Sequence, residues 1–488
     1  MGCPCFAPGT LRKRTQGSPV NRFRSVSRCS RTLVLSLSLS LALAGGSAFA
    51  QSAGENEPNV LVGAASQRYV AGEIPDRIVA TPSQDPSTGF AVNWRTHADV
   101  RAAVLEIVEA GDSPDVGTPR RVEASSRVLE AGGRLARFHR ADIDGLKPDT
   151  LYMFRVQGNG TWSGWRQMRT TATAGAPLTL LYFGDTQNKN LSHVSRVTRE
   201  AMRHAGDAVM ALYAGDLVSE AVDDDEWGEW FEAAGDLPDV MMVAPALGNH
   251  EYWEEFEDTP QERRVLSGHW PASFALPRNG AGGEHTRDTT YWFDVQGVRV
   301  AVLDGTSALD LGSADEQARW LDGVLVANPH RWSLVMIHQP MYSPRGRSAS
   351  ETLRATLMPV IEKHGVDIVL QGHDHTYGRR SGDRRGQTLP QYVVTVAGPK
   401  QYRLTDEAKR TMDPTAEDTQ LFQVLRIDGD RIRYQARTAT GRLYDDFEIV
   451  RDANGGKRLN EIREGRIAPR DCSHRDATLG GRKDRCWE

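Results

Sequence analysis

The feature that most constrains the fold of this chain is a series of short, predominantly apolar runs separated by stretches with helical periodicity. The apolar runs cover residues 178–183, 208–213, 241–247, 298–303, 332–337 and 366–370. The helical stretches cover residues 192–205, 314–327 and 351–364. Runs that are apolar on both faces are typical of buried strands, and helices between them cover the faces of a sheet. This pattern predicts a layered α/β domain.

The residues in front of this region follow a different pattern. Residues 75–174 contain short alternating runs separated by Gly, Pro and Asp turns, which predicts a small all-β sandwich. The sequence Gly-Leu-Lys-Pro-Asp-Thr-Leu-Tyr, which ends at Tyr152, resembles the corner of fibronectin type III-like domains, with Trp94 as the core tryptophan. The predicted fold is therefore an N-terminal fibronectin type III-like sandwich followed by the layered α/β domain, which we place at residues 178–450.

Polar side chains that bind metals follow five of the apolar runs. In chain order, the motifs are Gly184-Asp185-Thr186-Gln187, Gly215-Asp216, Gly248-Asn249-His250-Glu251, His338 and Gly372-His373-Asp374-His375. In layered α/β folds, ligands bind beyond the carboxyl ends of the strands, and glycine lets the backbone turn sharply there. The sequence therefore predicts that these motifs meet in one site.

The composition of this set indicates its chemistry. It combines carboxylate and amide oxygens with imidazole nitrogens and contains no thiolate, which suits Fe, Mn or Zn. The ligands are too many for one ion, so we expect two divalent or trivalent transition-metal ions. Two metals about 3.5–4 Å apart share a hydroxide and clamp the oxygens of a phosphoryl displacement. Hydrolysis of phosphoesters is the reaction that such a pair serves best.

The ordered motifs resemble the calcineurin-like metallophosphoesterase superfamily. The sandwich in front, together with the sequence from Gly372 to Arg379, resembles the purple acid phosphatase branch, and the resemblance covers roughly residues 75–450. It implies two β-sheets flanked by helices, a metal-bridging hydroxide as nucleophile, and His250 as the proton donor to the leaving group. It also implies that Asp216 bridges the two metals. The resemblance further implies that Asp185 and His375 hold the first metal, and Asn249, His338 and His373 the second.

The chain departs from this family at two positions. Ser219 stands where purple acid phosphatases place a tyrosinate, with Tyr213 before the bridging aspartate, so the purple colour should be absent. Gln187 stands where other members of the superfamily place a histidine. Its carbonyl oxygen is expected to hold the first metal less firmly than an imidazole would, and the alternative is that Gln187 only forms hydrogen bonds.

Several charged residues near the motifs have two interpretations each. Glu251 and Asp374 either orient neighbouring histidines or serve as capping or solvated residues. Arg345, Arg347 and Arg379 either pair with substrate phosphate or are ordinary surface arginines. The acidic run 223–226 is expected to be solvated and to begin a helix rather than to bind metal.

The two ends of the chain indicate export. Residues 1–50 hold seven basic residues and no acid, then a short apolar run and Ala48-Phe49-Ala50, which predicts a cleaved secretory signal rather than a membrane anchor. We therefore expect a secreted or periplasmic protein without a stable membrane anchor, with a linker at residues 51–74. The polar tail 451–488 contains Cys472 and Cys486, which indicate a disulfide, two free thiols or a metal pair.

Charge narrows the choice of function. After residue 50 the chain has 52 basic and 64 acidic residues, a formal charge of −12, which argues against a nucleic-acid partner. The leading hypothesis is an exported phosphomonoesterase that acts on a small-molecule or polymer phosphoester. The alternatives are a phosphodiesterase with the same metals and a non-catalytic binding scaffold at the cell surface.

Overall fold

The computed structural model describes residues 59–61, 67–257, 259–346, 350–382, 389–471, 478–479 and 482–483. The predicted secretory signal, Arg347, Cys472 and Cys486 lie outside the described residues. The described residues form one compact unit. In the described ranges, no helix is both long and apolar enough to cross a membrane.

The N-terminal region is all β, as predicted, and forms two sheets. One has the order β1-β2-β6-β5, and the other has the order β4-β3-β7-β8 with β9 also paired to β7. The strands are β1 (Asp76–Pro82), β2 (Phe90–His97), β3 (Val104–Glu109), β4 (Arg120–Glu123), β5 (Ser125–Ala131), β6 (Arg134–Ile143), β7 (Leu151–Gly158), β8 (Thr161–Trp162) and β9 (Arg166–Arg169).

Aromatic side chains join the two sheets of the sandwich. Trp94 is fully buried, and its indole nitrogen donates to the Gln157 carbonyl oxygen at 3.2 Å. The Phe90 and Phe154 rings, one from each sheet, lie 6.0 Å apart. The hydroxyl of Tyr152 accepts a hydrogen bond from its own corner, from the backbone N–H of Lys147 at 3.0 Å. The predicted core tryptophan and tyrosine therefore both close the sandwich.

The second region is a layered α/β domain, as predicted. Its strands are β10 (Leu178–Phe183), β11 (Met210–Tyr213), β12 (Met242–Pro245), β13 (Tyr252–Glu255), β14 (Arg263–Leu266), β15 (Tyr291–Val295), β16 (Val298–Val302), β17 (Trp332–Met336), β18 (Ile368–Gln371), β19 (Tyr377–Ser381), β20 (Gln391–Val394), β21 (Thr415–Ala416), β22 (Leu421–Asp428), β23 (Arg431–Thr438), β24 (Leu443–Arg451) and β25 (Lys457–Glu461). The pair β26 (Thr478–Leu479) and β27 (Arg482–Lys483) follows.

Nine helices are described between and beside these strands. They are α1 (Ser195–His204), α2 (Asp224–Ala234), α3 (Leu237–Val240), α4 (His269–Ser273), α5 (Gly305–Asp310), α6 (Ala314–Val326), α7 (Ser350–Thr356), α8 (Met358–Lys363) and α9 (Asp406–Thr411). A π-helical turn at Asn190–Val194 leads into α1. The single helix expected over 351–364 is two helices, because Pro359 lies in the first turn of α8, where its missing N–H is tolerated.

Two seven-stranded sheets bring the strand ends together. Their orders are β12-β11-β10-β22-β23-β24-β25 and β15-β16-β17-β18-β20-β19-β21. Strands β10, β11 and β12 are parallel to one another, and so are β16, β17, β18 and β20. The sheets meet where the Tyr182 hydroxyl donates to the Gln371 carbonyl oxygen at 2.6 Å and where Asp185 pairs with Val396. The carboxyl ends of the parallel strands in both sheets therefore face the same region, where the two sheets meet.

The acidic run 223–226 does begin a helix, α2, but the expectation that it is solvated is wrong. The Asp223 side chain caps the helix by accepting from the Asp225 N–H at 2.8 Å. Asp224 is buried and pairs with Arg77 at 2.7 Å and with Arg95 at 2.8 Å, both from the sandwich. Buried carboxylates are stable when they are paired and hydrogen-bonded, so this run joins the two regions instead of facing water.

Candidate metal centre

The strand ends place the predicted ligands around one point. Asp185 follows β10, Asp216 follows β11, and Asn249 follows β12. His338 follows β17, and the pair His373 and His375 follows β18. Five of these residues form two groups of possible ligands, with the ligand atoms of each group all within 4.8 Å of one another. The groups are Asp185, Asp216 and His375, and Asp216, His338 and His373. Asp216 therefore belongs to both.

The backbone at these residues is held in an uncommon conformation. Asp216, His373 and His375 have φ angles of 50°, 73° and 46°, in the left-handed region that residues with a Cβ rarely adopt. Gly248 packs so tightly against Asp216 that a Cβ there would lie 2.1 Å from the Asp216 Oδ1. Strain of this kind is concentrated at functional sites, where the surroundings fix it.

Backbone carbonyl groups set the tautomers of two histidines. The Nδ1 of His338 lies 2.7 Å from the Ala214 carbonyl oxygen, and the Nδ1 of His375 lies 2.9 Å from that of Lys400. A carbonyl oxygen only accepts, so both Nδ1 atoms donate. The Nε2 atoms then face the carboxylates, at 3.1 Å from Asp216 Oδ2 for His338 and 3.1 Å from Asp185 Oδ2 for His375. Each contact needs a proton or a metal ion between its two atoms.

The charges at the centre favour a cation. Burial lowers the pKa of His338, but the carboxylates of Asp216 and Asp185 outweigh it and raise the pKa to about 10. Burial raises the pKa of Asp216, but His338 and His250 outweigh it, so this pKa lies far below its ordinary value. The Asp216 carboxylate therefore stays ionised inside the protein and attracts positive charge.

Three buried oxygens at the centre have no hydrogen-bond partner within the described ranges. They are the Asp185 Oδ2, the Asn249 Oδ1 and the Gln187 Oε1. Buried polar atoms are rarely left unpaired, and an unpaired acceptor is costly unless an ion or water satisfies it. All three atoms belong to residues that the sequence predicts as ligands, so the donor set fits two metal ions.

Two buried carboxylates fix the loops that carry the ligands. Glu251 accepts from the backbone N–H groups of Gly248 at 2.6 Å, Leu217 at 2.7 Å and Asp216 at 3.0 Å. Burial, and after it the charge of Asp216, raises the pKa of Glu251 to about 7. Asp374 accepts from the Ser343 hydroxyl at 2.5 Å and from the Arg345 N–H at 3.4 Å. Both residues therefore bind backbone in the way that a capping residue does.

His250 is held beside the shared aspartate. Its backbone N–H donates to the Asp216 Oδ1 at 2.9 Å, and its Nδ1 donates to the Ser219 carbonyl oxygen at 2.6 Å. Ser219 in turn donates its N–H to the buried carboxylate of Glu226 at 2.6 Å. Tyr213 is a core residue, stacked on Phe183 at 4.9 Å. No sequence signal marked Glu226 as the support of this loop.

An aromatic ring that sequence reasoning missed lies next to the centre. The Tyr402 ring is 4.8 Å from the His375 ring, the Arg345 guanidinium lies 3.6 Å from the centroid of the Tyr402 ring, and the Lys400 ammonium lies 5.6 Å from it. Two cationic groups therefore stand beside one predicted ligand. Nothing in the sequence around residue 402 distinguishes this tyrosine from other loop aromatics.

Both interpretations of Arg379, as a partner of substrate phosphate and as an ordinary surface arginine, are wrong. Its side chain is 3% exposed, and it pairs with Asp445 at 2.7 Å and with Glu461 at 2.8 Å. These carboxylates, with a smaller contribution from Tyr377, outweigh burial and raise the pKa of Arg379 above its ordinary value. The residue is committed to an internal ion pair between strands β19, β24 and β25.

Two family models match the chain. Residues 178–377 match the calcineurin-like phosphoesterase family, and residues 75–170 match the purple acid phosphatase N-terminal domain. An uncharacterized protein of Mycobacterium tuberculosis is 28% identical over 330 residues, which are 61% of this chain and 60% of that protein. Acid phosphatase type 7 of Mus musculus is 26% identical over 338 residues, which are 62% of this chain and 70% of that protein. The chain thus spans about three fifths of the Mycobacterium relative.

A solved structure has the same fold. A purple acid phosphatase from seeds of yellow lupin (Lupinus luteus) superposes with a TM-score of 0.66 at 18% identity, over 78% of this chain and 75% of that one. At this identity the likeness concerns the fold alone. It agrees with a β-rich N-terminal region in front of an α/β domain with two sheets.

Proposed function

The chain belongs to the calcineurin-like phosphoesterases and carries the N-terminal domain of purple acid phosphatases, and from this premise we propose that it is a dinuclear-metal hydrolase of phosphomonoesters. The observation that carries the proposal is the pair of ligand groups that share Asp216. The unpaired oxygens of Asp185, Asn249 and Gln187 support it, because each lies where a ligand is expected and lacks a partner in the described part of the chain.

We assign the ligands in two sets that share one carboxylate. The first set is Asp185, Gln187, Asp216 and His375, and the second is Asp216, Asn249, His338 and His373. Oxygen and imidazole donors without thiolate suit Fe, Mn or Zn. When bound, two such ions supply an activated water and neutralise the phosphoryl oxygens. The contribution of the protein is to hold these donors in place, through the carbonyl groups behind His338 and His375 and through Glu251.

His250 is our candidate for the proton donor to the leaving group. Its Nδ1 is occupied by the Ser219 carbonyl oxygen, so Nε2 is the ring atom left for proton transfer. The backbone N–H of His250 on Asp216 keeps the ring beside the shared ligand. Imidazole is the side chain most often used for such transfer in enzymes.

Positive charge beside the first ligand set supports a monoester as substrate. A phosphomonoester dianion carries one more negative charge than a diester, and Arg345 and Lys400 lie on the Tyr402 ring next to His375. An arginine stacked on an aromatic ring keeps its planar donors oriented for a phosphate. We therefore place Arg345 on the substrate side of the centre.

The experiment compares hydrolysis of p-nitrophenyl phosphate and of bis-p-nitrophenyl phosphate by the metal-loaded protein. Asp216→Asn should lower both rates by about 100-fold or more, because it weakens both ligand sets, and loss of even a residue behind a metal ligand costs about 10- to 100-fold. The matched control is Asp112→Asn, which changes an exposed carboxylate of the sandwich and should leave both rates unchanged. Unchanged hydrolysis in Asp216→Asn would refute the assigned centre, and faster hydrolysis of the diester by the wild type would refute the monoester preference.

Export belongs to the same proposal. The basic start, the short apolar run and Ala48-Phe49-Ala50 support cleavage of a secretory signal and a secreted or periplasmic location. The test is N-terminal sequencing of the protein recovered from the medium or the periplasm. A start after Ala50 is expected, and an uncleaved cytoplasmic chain would refute export.

A further inference from the structure

Residues 59–61 lie between the predicted secretory signal and the sandwich and are bound to helix α2. Three glutamates of α2, spaced three residues apart, each accept a hydrogen bond from a residue in front of the sandwich. The donors are the Asn59 amide for Glu226, the Leu61 N–H for Glu229 and the Tyr69 hydroxyl for Glu232. A Cβ at Gly228 of α2 would lie 2.4 Å from the Tyr69 Cγ, so this side chain also packs closely on the helix. Asn59 therefore has a fixed position beside α2.

Asn59 also contacts the loop that follows strand β10. Its backbone carbonyl oxygen accepts from the Lys189 N–H at 2.9 Å, and its Oδ1 accepts from the Asn188 amide at 2.9 Å. Asn188 and Lys189 have φ angles of 70° and 51°, in the left-handed region that residues with a Cβ rarely adopt. Strain of this kind persists only when surrounding contacts enforce it. Asn59 therefore enforces the backbone directly after Gln187, an assigned ligand.

The same side chain reaches the loop that orients His250. The Asn59 amide donates to one oxygen of Glu226, and the other oxygen of Glu226 accepts from the Ser219 N–H at 2.6 Å. The Asn188 amide, which donates to Asn59, also lies 3.3 Å from the Ser219 hydroxyl. The Ser219 carbonyl oxygen accepts from the His250 Nδ1 at 2.6 Å. Two groups that Asn59 contacts therefore fix Ser219, and Ser219 orients the imidazole.

We propose that Asn59 is a positioning residue for proton transfer by His250. Its amide and its oxygens join the loop after β10 to the loop before α2, so the Ser219 carbonyl oxygen stays in line with the His250 ring. A proton donor must lie within hydrogen-bond reach of the leaving oxygen, and a small displacement of such a group lowers the rate strongly. This inference rests on the proposed function. A residue in front of the sandwich thereby takes part in the organisation of the centre.

The first test is the kinetics of Asn59→Asp. This change keeps an oxygen for the 188–189 loop, but it removes the amide donor and places a carboxylate against Glu226. Burial raises the pKa of Glu226 to about 6, so assays at pH 8 oppose two negative charges. The kcat for glycerol 2-phosphate, an alkyl phosphate, should fall about tenfold with an unchanged KM. The kcat for p-nitrophenyl phosphate should fall less, because that leaving group needs no proton.

A double variant distinguishes positioning from general damage to the fold. Asn59→Asp combined with Glu226→Gln exchanges the carboxylate and the amide of the pair, so a donor and an acceptor face each other again. It should recover the kcat for glycerol 2-phosphate. Asn59→Ala removes the donor without adding charge and should show the same selective loss as Asn59→Asp. The matched control is Asn159→Asp, an exposed site in the sandwich whose amide donates to Glu73 at 3.1 Å, and it should change neither kcat.

Hydrogen exchange measured by mass spectrometry gives a readout without substrate. The N–H groups of Ser219 and Glu220 both donate to Glu226. In Asn59→Asp the peptide that contains them should exchange about tenfold faster than in the wild type, and the double variant should recover the slow rate. Equal losses of kcat for both esters, unchanged kcat in both Asn59 variants, or a double variant no better than Asn59→Asp would overturn the inference.

The two readouts also separate this inference from the proposed function. Faster exchange at Ser219 in Asn59→Asp, in a protein that hydrolyses neither ester, would overturn the function and support the positioning of this loop by Asn59. Unchanged exchange and unchanged kcat in the Asn59 variants of an active enzyme would overturn only the role given to Asn59.

Discussion

Replacing Glu226 by glutamine should change how the stability of the protein depends on pH. The buried carboxylate accepts the N–H groups of Ser219 at 2.6 Å and Glu220 at 2.9 Å, and its other oxygen accepts from Asn59. Burial raises the pKa of Glu226 from its ordinary value of 4.5 to about 6, although these hydrogen bonds oppose the rise. The residue therefore supports the loop that holds His250 while carrying a charge that burial disfavours.

The sign and the size of this pH dependence follow from the linkage between protonation of Glu226 and folding. Because the folded pKa lies above the unfolded one, the contribution of Glu226 to stability is complete below about pH 4.5 and is lost as the pH rises through about 6. The full loss is about 2 kcal/mol, and about 1 kcal/mol of it falls between pH 5 and pH 8. Glutamine keeps one oxygen acceptor and carries no charge. The free energy of unfolding of Glu226→Gln should therefore rise by about 1 kcal/mol, relative to the wild type, from pH 5 to pH 8.

The assay is urea unfolding followed by tryptophan fluorescence at both pH values, with the metal content held constant. Glu130→Gln, at an exposed position of the sandwich, is the matched control and should show no pH-dependent difference from the wild type. A difference between Glu226→Gln and the wild type that stays constant with pH, or that changes in the opposite direction, would refute the reasoning about burial.

Three further changes probe the site and the junction between the two regions. Arg345→Ala should raise the KM for p-nitrophenyl phosphate about tenfold and should raise the KM for the diester less. Equal changes in the two KM values would show that Arg345 does not recognise the phosphate of the monoester. His250→Asn should lower kcat about 100-fold or more for an alkyl phosphate but less for p-nitrophenyl phosphate, whose leaving group needs no proton; equal losses would contradict the role of proton donor. Arg95→Met leaves Asp224 without one of its buried partners and should lower the free energy of unfolding by about 3 kcal/mol in urea, whereas Arg120→Met on an exposed strand should not.

The sequence predicted those parts of the fold that depend on local pattern. The predominantly apolar run 178–183 is strand β10 without any change of bounds, because a strand buried on both faces needs no polar alternation. Gly248 and Gly372 were expected at sharp turns, and both have an Asp side chain where a Cβ would stand. Ligand order along the chain was readable because parallel strands end at one edge.

Long-range pairs could not be predicted in this way. Asp224 looked solvated because its partners, Arg77 and Arg95, lie in a different region of the chain. Arg379 looked available for the same reason, since Asp445 lies 66 residues further on. The position of Tyr402 against His375 depends on a loop whose backbone carries no distinctive motif. Charge and aromatic character are local properties, whereas their partners are set by packing.

The backbone around the centre bears on the alternative of a non-catalytic scaffold. Left-handed φ angles at Asp216, His373 and His375 each cost of the order of 1 kcal/mol and persist only when surrounding contacts enforce them. The enforcing contacts include the buried Glu251, which accepts the Asp216 N–H, and Asp185 Oδ1, which accepts the His373 N–H at 2.6 Å. A binding scaffold has no need to strain the backbone at these three residues and to surround them with buried carboxylates. A metal centre needs both, because ligand atoms from separate loops must converge within a few ångströms.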